Sequence, residues 1–406
     1  MTRVGTTGLV LSGGGMRGAY EVGVVQGMAE VLGKRAGDPP LFQVFSGTSV
    51  GAINCTFFAS RAHEGDHGVG HLVNMWQGIR LRDHLALRPL GLLGTPKSAL
   101  ELMRPLRPGR SLLDARRIEL TVRGAIDFEQ LHRNISQGTV RALLIAALHV
   151  VSGKTTVFAE VAPGHGFAPS TGSGRIAHQG PITIDHVLAS AAIPLLFPTR
   201  RVEGRFYCDG GLRFNTPIAP ALRAGADKLV VVAVGHRASP EEQLQRELDV
   251  DETEAVDLSG LFLVGKLLNA LLLDPVRYDL QVLERLNQIV QVLEEALNPE
   301  ELARFQEVLV RTRGTGYRKV DTLVFRPSLD LGELAGSFLR TSLDEVDVGR
   351  LPKELLKRAA ADGLGQEADW ASYLLFDGSF ATELIELGRR DALDKAAEIK
   401  ALFGAA

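Results

Sequence analysis

Two kinds of apolar pattern alternate along this chain. Short continuous runs at 9–12, 41–46, 142–151, 155–161, 205–208, 229–234 and 322–325 read as strands covered on both faces. Between them lie helical spacings. Val22, Val25, Ala29 and Leu32 share one face of a helix over 18–32, and a second helix starting at Val50 turns Ile53, Phe57 and Phe58 inward. A short helix is expected at 186–192, ending at Pro194, and a C-terminal one from about Ala381. The turn Ser152-Gly153-Lys154 makes 142–151 and 155–161 a hairpin. The alternation predicts an α/β protein, a three-layer α/β/α domain around a parallel-dominated sheet. Residues 61–115, rich in Gly, Pro, Arg and Leu, predict loops and short helices over the core, and glycine-rich 163–181 predicts a mobile loop.

The pattern changes after Val234. Residues 238–257 carry eight acids against one base, Arg246, as a solvated linker or helix face would. Residues 258–273 are then strongly apolar, and Leu280, Leu283, Leu286, Val290, Leu293 and Leu297 recur at helical spacing. The reading is one domain over 1–406, its core at about 5–237 and 317–400, with a helical insertion at about 238–316. No internal repeat is visible.

Composition narrows the function classes. At 406 residues and 45% hydrophobic content the chain can build a large core, and its net charge of −3 gives no general attraction to nucleic acid or to an anionic membrane. Cys55 and Cys208 lie in apolar stretches and read as reduced core residues. The longest uncharged stretch, 39–60, contains a glycine turn and cannot be one spanning helix. The N-terminus shows no leader pattern. A soluble, cytoplasmic protein is expected, with peripheral contact to a membrane and no nucleic-acid partner.

Two glycine-framed signatures, each after a strand, carry the candidate chemistry. Ser12-Gly13-Gly14-Gly15-Met16-Arg17-Gly18 follows the first strand, and Gly47-Thr48-Ser49-Val50-Gly51 the second. A serine between glycines at a strand-to-helix junction sits on a sharp turn that lifts its hydroxyl out of the sheet. A glycine run beside it presents backbone N–H groups to a developing oxyanion. Gly13-x-Gly15-x-x-Gly18 also fits a dinucleotide fingerprint, which needs an acid at the end of the second strand. Asp38 has roughly that spacing but precedes the strand, so the nucleotide reading fails.

Ser49 needs a base. Asp209, before Gly210 and Gly211 at the end of 205–208, is one candidate acting alone; a Ser49–Asp209–His236 triad is the other. Gly-Gly-Gly-x-Arg-Gly, Gly-Thr-Ser-Val-Gly and Asp-Gly-Gly, in this order, resemble the three motifs of the patatin-like phospholipases. Ala189-Ser190-Ala191-Ala192-Ile193-Pro194 with Phe197-Pro198, Asn215-x-Pro217, Val324-Phe325-Arg326-Pro327-Ser328 and Glu383-Leu384-Ile385-Glu386-Leu387-Gly388 are similar to family segments too. The resemblance covers most of the chain outside 238–316. It departs at Ser12, where an acidic residue often stands. It implies a Ser49–Asp209 dyad, an oxyanion hole of Gly13, Gly14 and Gly15, support from Arg17, Gly18, Gly47, Gly51, Gly210 and Gly211, no metal or other cofactor, and a glycerolipid or phospholipid substrate cleaved through an acyl-serine. Acyl transfer, a broad carboxylesterase, or a non-catalytic membrane or effector-binding module on the same fold are the alternatives.

Other features take plainer readings. His63, His67 and His71 would align for zinc on a helix, but Gly65, Gly68 and Gly70 between them predict a polar surface loop. Asp377-Gly378-Ser379 reads as a helix N-cap. Residues 258–273 are expected near the site mouth as a lid or interfacial contact.

Overall fold

The computed structural model describes residues 5–81, 86–87, 113–114, 116–169, 174–194, 196–236, 274–313, 316–342 and 369–405. Its first elements are β1 (Thr7–Leu11), α1 (Gly18–Val31), β2 (Val44–Thr48), α2 (Val50–Ser60) and α3 (Val69–Gln77). Then come α4 (Arg116–Ala125), α5 (Phe128–Ser136), β3 (Ala142–His149), β4 (Thr155–Val161), β5 (Arg175–Gln179) and α6 (Ile184–Ser190). They are followed by β6 (Arg200–Val202), β7 (Arg205–Asp209), α7 (Ile218–Arg223) and β8 (Lys228–Val232). The C-terminal part holds α8 (Asp274–Ala296), α9 (Pro299–Arg313), β9 (Asp321–Phe325), α10 (Leu331–Ser342), α11 (Asp369–Leu374), α12 (Gly378–Asp394) and α13 (Ala396–Phe403).

The sheet runs β9-β8-β1-β2-β3-β4-β5, parallel from β9 through β3. Successive strand residues feed opposite cores: Leu9 and Leu11 pack with α1, α2 and α12, whereas Val10 joins α7 and α8. This two-sided burial is why the strands read as unbroken apolar runs. The tightest helix pair is α1 against α12, where Gly23 lies on the Ile385 carbonyl and Gly388 on the Tyr20 carbonyl. A Cβ at either position would strike backbone, so glycine here is a packing requirement. Asp377 caps α12 by accepting from the Ser379 N–H at 2.9 Å, as its spacing predicts.

Several elements differ from the expectation. Strand β2 starts at Val44 rather than 41, because the Gln43 backbone is already bonded to Thr7 and Arg141 while Leu41 and Phe42 pack inward ahead of it. Part of the predicted mobile loop is β5, an edge strand parallel to β4. Its polar sequence, Arg175-Ile176-Ala177-His178-Gln179, hides it because only one face is covered. His67 is not on a surface loop: it is fully buried, and burial holds its pKa near 4. Its Nδ1–H donates to the Phe58 carbonyl at 3.1 Å and Nε2 accepts from the Phe42 N–H at 3.2 Å, with the ring stacked on Phe42. The neutral imidazole is therefore a satisfied core group. His63 instead faces Glu64 and is exposed. Between β8 and β9 the described residues form α8 and α9; the predicted acidic linker and the apolar 258–273 lid lie outside the described residues. Among the described residues no helix is long and apolar enough to cross a membrane.

Candidate active site

Strand β3 is the template on which the site is assembled. Its first half pairs with β2, up to Thr48 opposite Ala146. There β2 ends and Ser49 turns the chain into α2 with φ of 56°, a left-handed conformation held by its surroundings. The same edge of β3 is then taken over by β7, which arrives antiparallel and ends with Asp209 opposite Ala147. The Ser49 turn and Asp209 thus meet end to end at adjacent positions of one strand. Both are buried, Ser49 at 3% and Asp209 at 1% exposure.

Close backbone approaches explain the glycines. Gly47 faces the Gly51 carbonyl across the elbow, Gly51 backs onto the Leu11 and Ser12 carbonyls, Gly18 abuts Val50, and Gly210 sits on the Ala146 carbonyl. A side chain at any of them would force the serine turn away from β1 or β3. The Gly211 N–H donates to Asp209 Oδ1 at 2.7 Å, whereas among the described residues no hydrogen bond reaches Oδ2. Burial pushes the Asp209 pKa from 3.8 up to about 7, against the opposing pull of the Ser49 hydroxyl and the Gly211 amide. A carboxylate poised near neutrality can take a hydroxyl proton.

The three amides of the glycine run are not equivalent. The Gly13 N–H donates to Asn215, at 3.0 Å to the side-chain oxygen and 3.3 Å to the carbonyl. Gly15 lines the same cleft as Ser49. Arg17 is buried; its Nε and Nη2 donate to Ser372 Oγ at 2.9 and 2.7 Å, and its guanidinium lies 4.0 Å above the Tyr373 ring. It therefore anchors the glycine loop to α11. His236 lies four residues beyond β8 with Nδ1 donating to the Pro327 carbonyl at 2.9 Å, and among the described residues no hydrogen bond joins it to Ser49 or Asp209.

Supporting residues that the motifs did not single out complete the site. Ser190 Oγ accepts the Ser49 N–H at 2.9 Å and donates to the Ala146 carbonyl at 2.6 Å. Within Ala189-Ser190-Ala191-Ala192 the serine looks like any small packing residue, so only the fold shows its task. Beneath the elbow, Asn54 donates to Glu21 Oε2 at 2.9 Å and accepts from the Trp76 indole at 3.3 Å. Burial raises the Glu21 pKa well above its usual value. The cleft in front of Ser49, about 880 Å³ counting the part open to solvent, is walled by apolar side chains, among them Val50, Ile53, Trp76, Val122, Leu188 and Phe197. Among the described residues there is no His/Cys/Asp/Glu group arranged for a metal.

A mostly parallel α/β/α sheet with a serine elbow and a strand-end aspartate on one template strand defines a class of protein. The chain belongs to the patatin-like phospholipase family, whose model matches residues 9–222. None of the curated proteins matches it in sequence. Among solved structures it is similar to VipD from Legionella pneumophila, at 12% identity and a TM-score of 0.33 over 95% of this chain and 67% of that one.

Proposed function

We propose that this protein is a lipid acyl hydrolase working through a Ser49–Asp209 dyad. The observation that carries the reading is the shared register on β3, which sets a strained serine beside a buried carboxylate of near-neutral pKa at the head of an apolar cleft. Asp209 takes the hydroxyl proton as Ser49 Oγ attacks the ester carbonyl. The oxyanion is held by the Gly14 and Gly15 amides, since Gly13 is committed to Asn215. The alcohol, a lysolipid or glycerol moiety, leaves with the proton, and an acyl-serine remains. Water then gives its proton to Asp209 and attacks the acyl-serine, releasing the fatty acid and returning the proton to Ser49. The walls of the cleft suit a fatty-acyl chain, which buries apolar surface at about 25 cal/mol per Å².

A fluorophosphonate probe and a panel of phospholipids and neutral glycerolipids test this, with products read by mass spectrometry. The wild type should label once and release fatty acid. Ser49→Ala should do neither while remaining folded. Labelling that persists in Ser49→Ala would place the nucleophile elsewhere.

A further inference from the structure

Helix α4 covers the cleft with one face and presents the other outward. Ile118, Thr121 and Val122 line the cleft, while Arg116, Arg117, Leu120 and Arg123 are exposed. Leu120 is 66% exposed, unusual for a leucine on a helix that covers an apolar cleft. Glu119 ties α4 to β6 through Arg200 at 2.6 Å, and Arg200 itself lines the cleft. From β6 the rim continues by antiparallel pairing into β7, and from there to the tip of the β3–β4 hairpin, where the Val150 N–H donates to the Phe206 carbonyl. At that tip Val151 is 82% exposed.

The charge along this rim differs from that of the chain. Its helix and its β6–β7 turn carry Arg116, Arg117, Arg123, Arg200, Arg201 and Arg205 against the acids Glu119 and Glu203. The protein as a whole is net −3. A basic rim around an apolar cleft, with an exposed aliphatic side chain at each end, has the chemistry of an interfacial surface: arginines for phosphate groups, leucine and valine for the acyl boundary.

We infer that the rim formed by α4, the β6–β7 turn and the β3–β4 tip docks on an anionic phospholipid bilayer and sets the cleft mouth against it. The inference rests on the lipid acyl hydrolase reading for its purpose but not for its test. Docking here lets a fatty-acyl chain pass from the bilayer into the cleft beside α4 without crossing water. It also favours lipid substrates in membranes that carry negative charge.

Vesicle co-sedimentation tests it, using full-length Ser49→Ala protein so that turnover does not alter the membrane. Binding to vesicles of phosphatidylcholine mixed with phosphatidylglycerol should exceed binding to phosphatidylcholine alone, and should weaken as salt rises. A basic residue near an anionic surface is worth roughly fivefold in binding. The pair Arg117→Glu with Arg201→Glu should therefore weaken binding to anionic vesicles by about 10²-fold, while Arg117→Lys with Arg201→Lys keeps it. Val151→Asp, at the exposed tip, should weaken it independently. In the Ser49 background, hydrolysis of a soluble short-chain ester by the Arg117→Glu, Arg201→Glu protein should match wild type. Equal binding to neutral and charged vesicles, no binding to either, or retained binding in the reversed pair would each overturn the inference. Loss of short-chain hydrolysis in the unmutated enzyme would instead strike the proposed function and leave the vesicle result standing.

Discussion

Gly13 and the Asn215 side chain hold each other through two hydrogen bonds: the Gly13 N–H donates to Asn215 Oδ1 at 3.0 Å, and Asn215 Nδ2 donates to the Gly13 carbonyl at 3.1 Å. The pair joins the glycine loop after β1 to the loop after β7. One clamp thus fixes the glycine loop relative to Asp209.

Asn215→Ala should lower kcat on a soluble ester by about 10- to 10²-fold, because the neighbouring amides lose their fixed aim. The buried Gly13 carbonyl loses its donor, so melting should report a loss of about 1–3 kcal/mol. Unchanged kcat with reduced stability would limit Asn215 to a structural role.

Ser190→Ala removes the acceptor for the Ser49 N–H and a donor for the Ala146 carbonyl at once. Both groups are buried, so a stability loss of about 1–3 kcal/mol is expected. The serine elbow should also relax, lowering kcat more than it alters KM. Steady-state kinetics beside a thermal melt measure both; a change in KM alone would show that Ser190 shapes the cleft and not the elbow.

Asp209 links activity and stability to pH in opposite senses. The carboxylate is the reactive form, so kcat/KM should rise with pH and level off above about 7. Folding favours the protonated form, because the folded-state pKa lies above the unfolded value of 3.8. That stabilisation is complete below about pH 4 and is lost as pH rises through about 7. At about 1.4 kcal/mol per unit, the ionised group costs on the order of 4 kcal/mol. Asp209→Asn should therefore be inactive yet melt above wild type near pH 8, with the gap closing toward pH 4. Near-wild-type turnover in this variant would end the dyad assignment.

His236→Ala should keep most of the activity, since its imidazole serves the Pro327 carbonyl. A fall of about 10³-fold in kcat with the fold intact would restore the three-residue alternative. Chelators should leave hydrolysis of a soluble ester unaltered, and inhibition reversed by added metal would contradict the dyad chemistry.

Features set by neighbouring residues are legible along the chain. Two-sided apolar runs announced parallel strands, the start of α2 at Val50 followed from the turn at Ser49, and Asp377 declared its helix. Glycine spacing at 13–15 and 47–51 marked where other groups must lie close against the backbone, leaving no room for a side chain. The tertiary structure alone decided what depends on register between distant segments. Nothing local places Asp209 opposite Ala147, next to the position where Thr48 meets Ala146. Nor could local pattern separate Gly13, spent on Asn215, from Gly14 and Gly15. The burial of His67 and the strand β5 are hidden from local pattern for the same reason. A polar residue looks solvated in sequence, and only the elements packed around it supply the hydrogen-bond partners that allow burial.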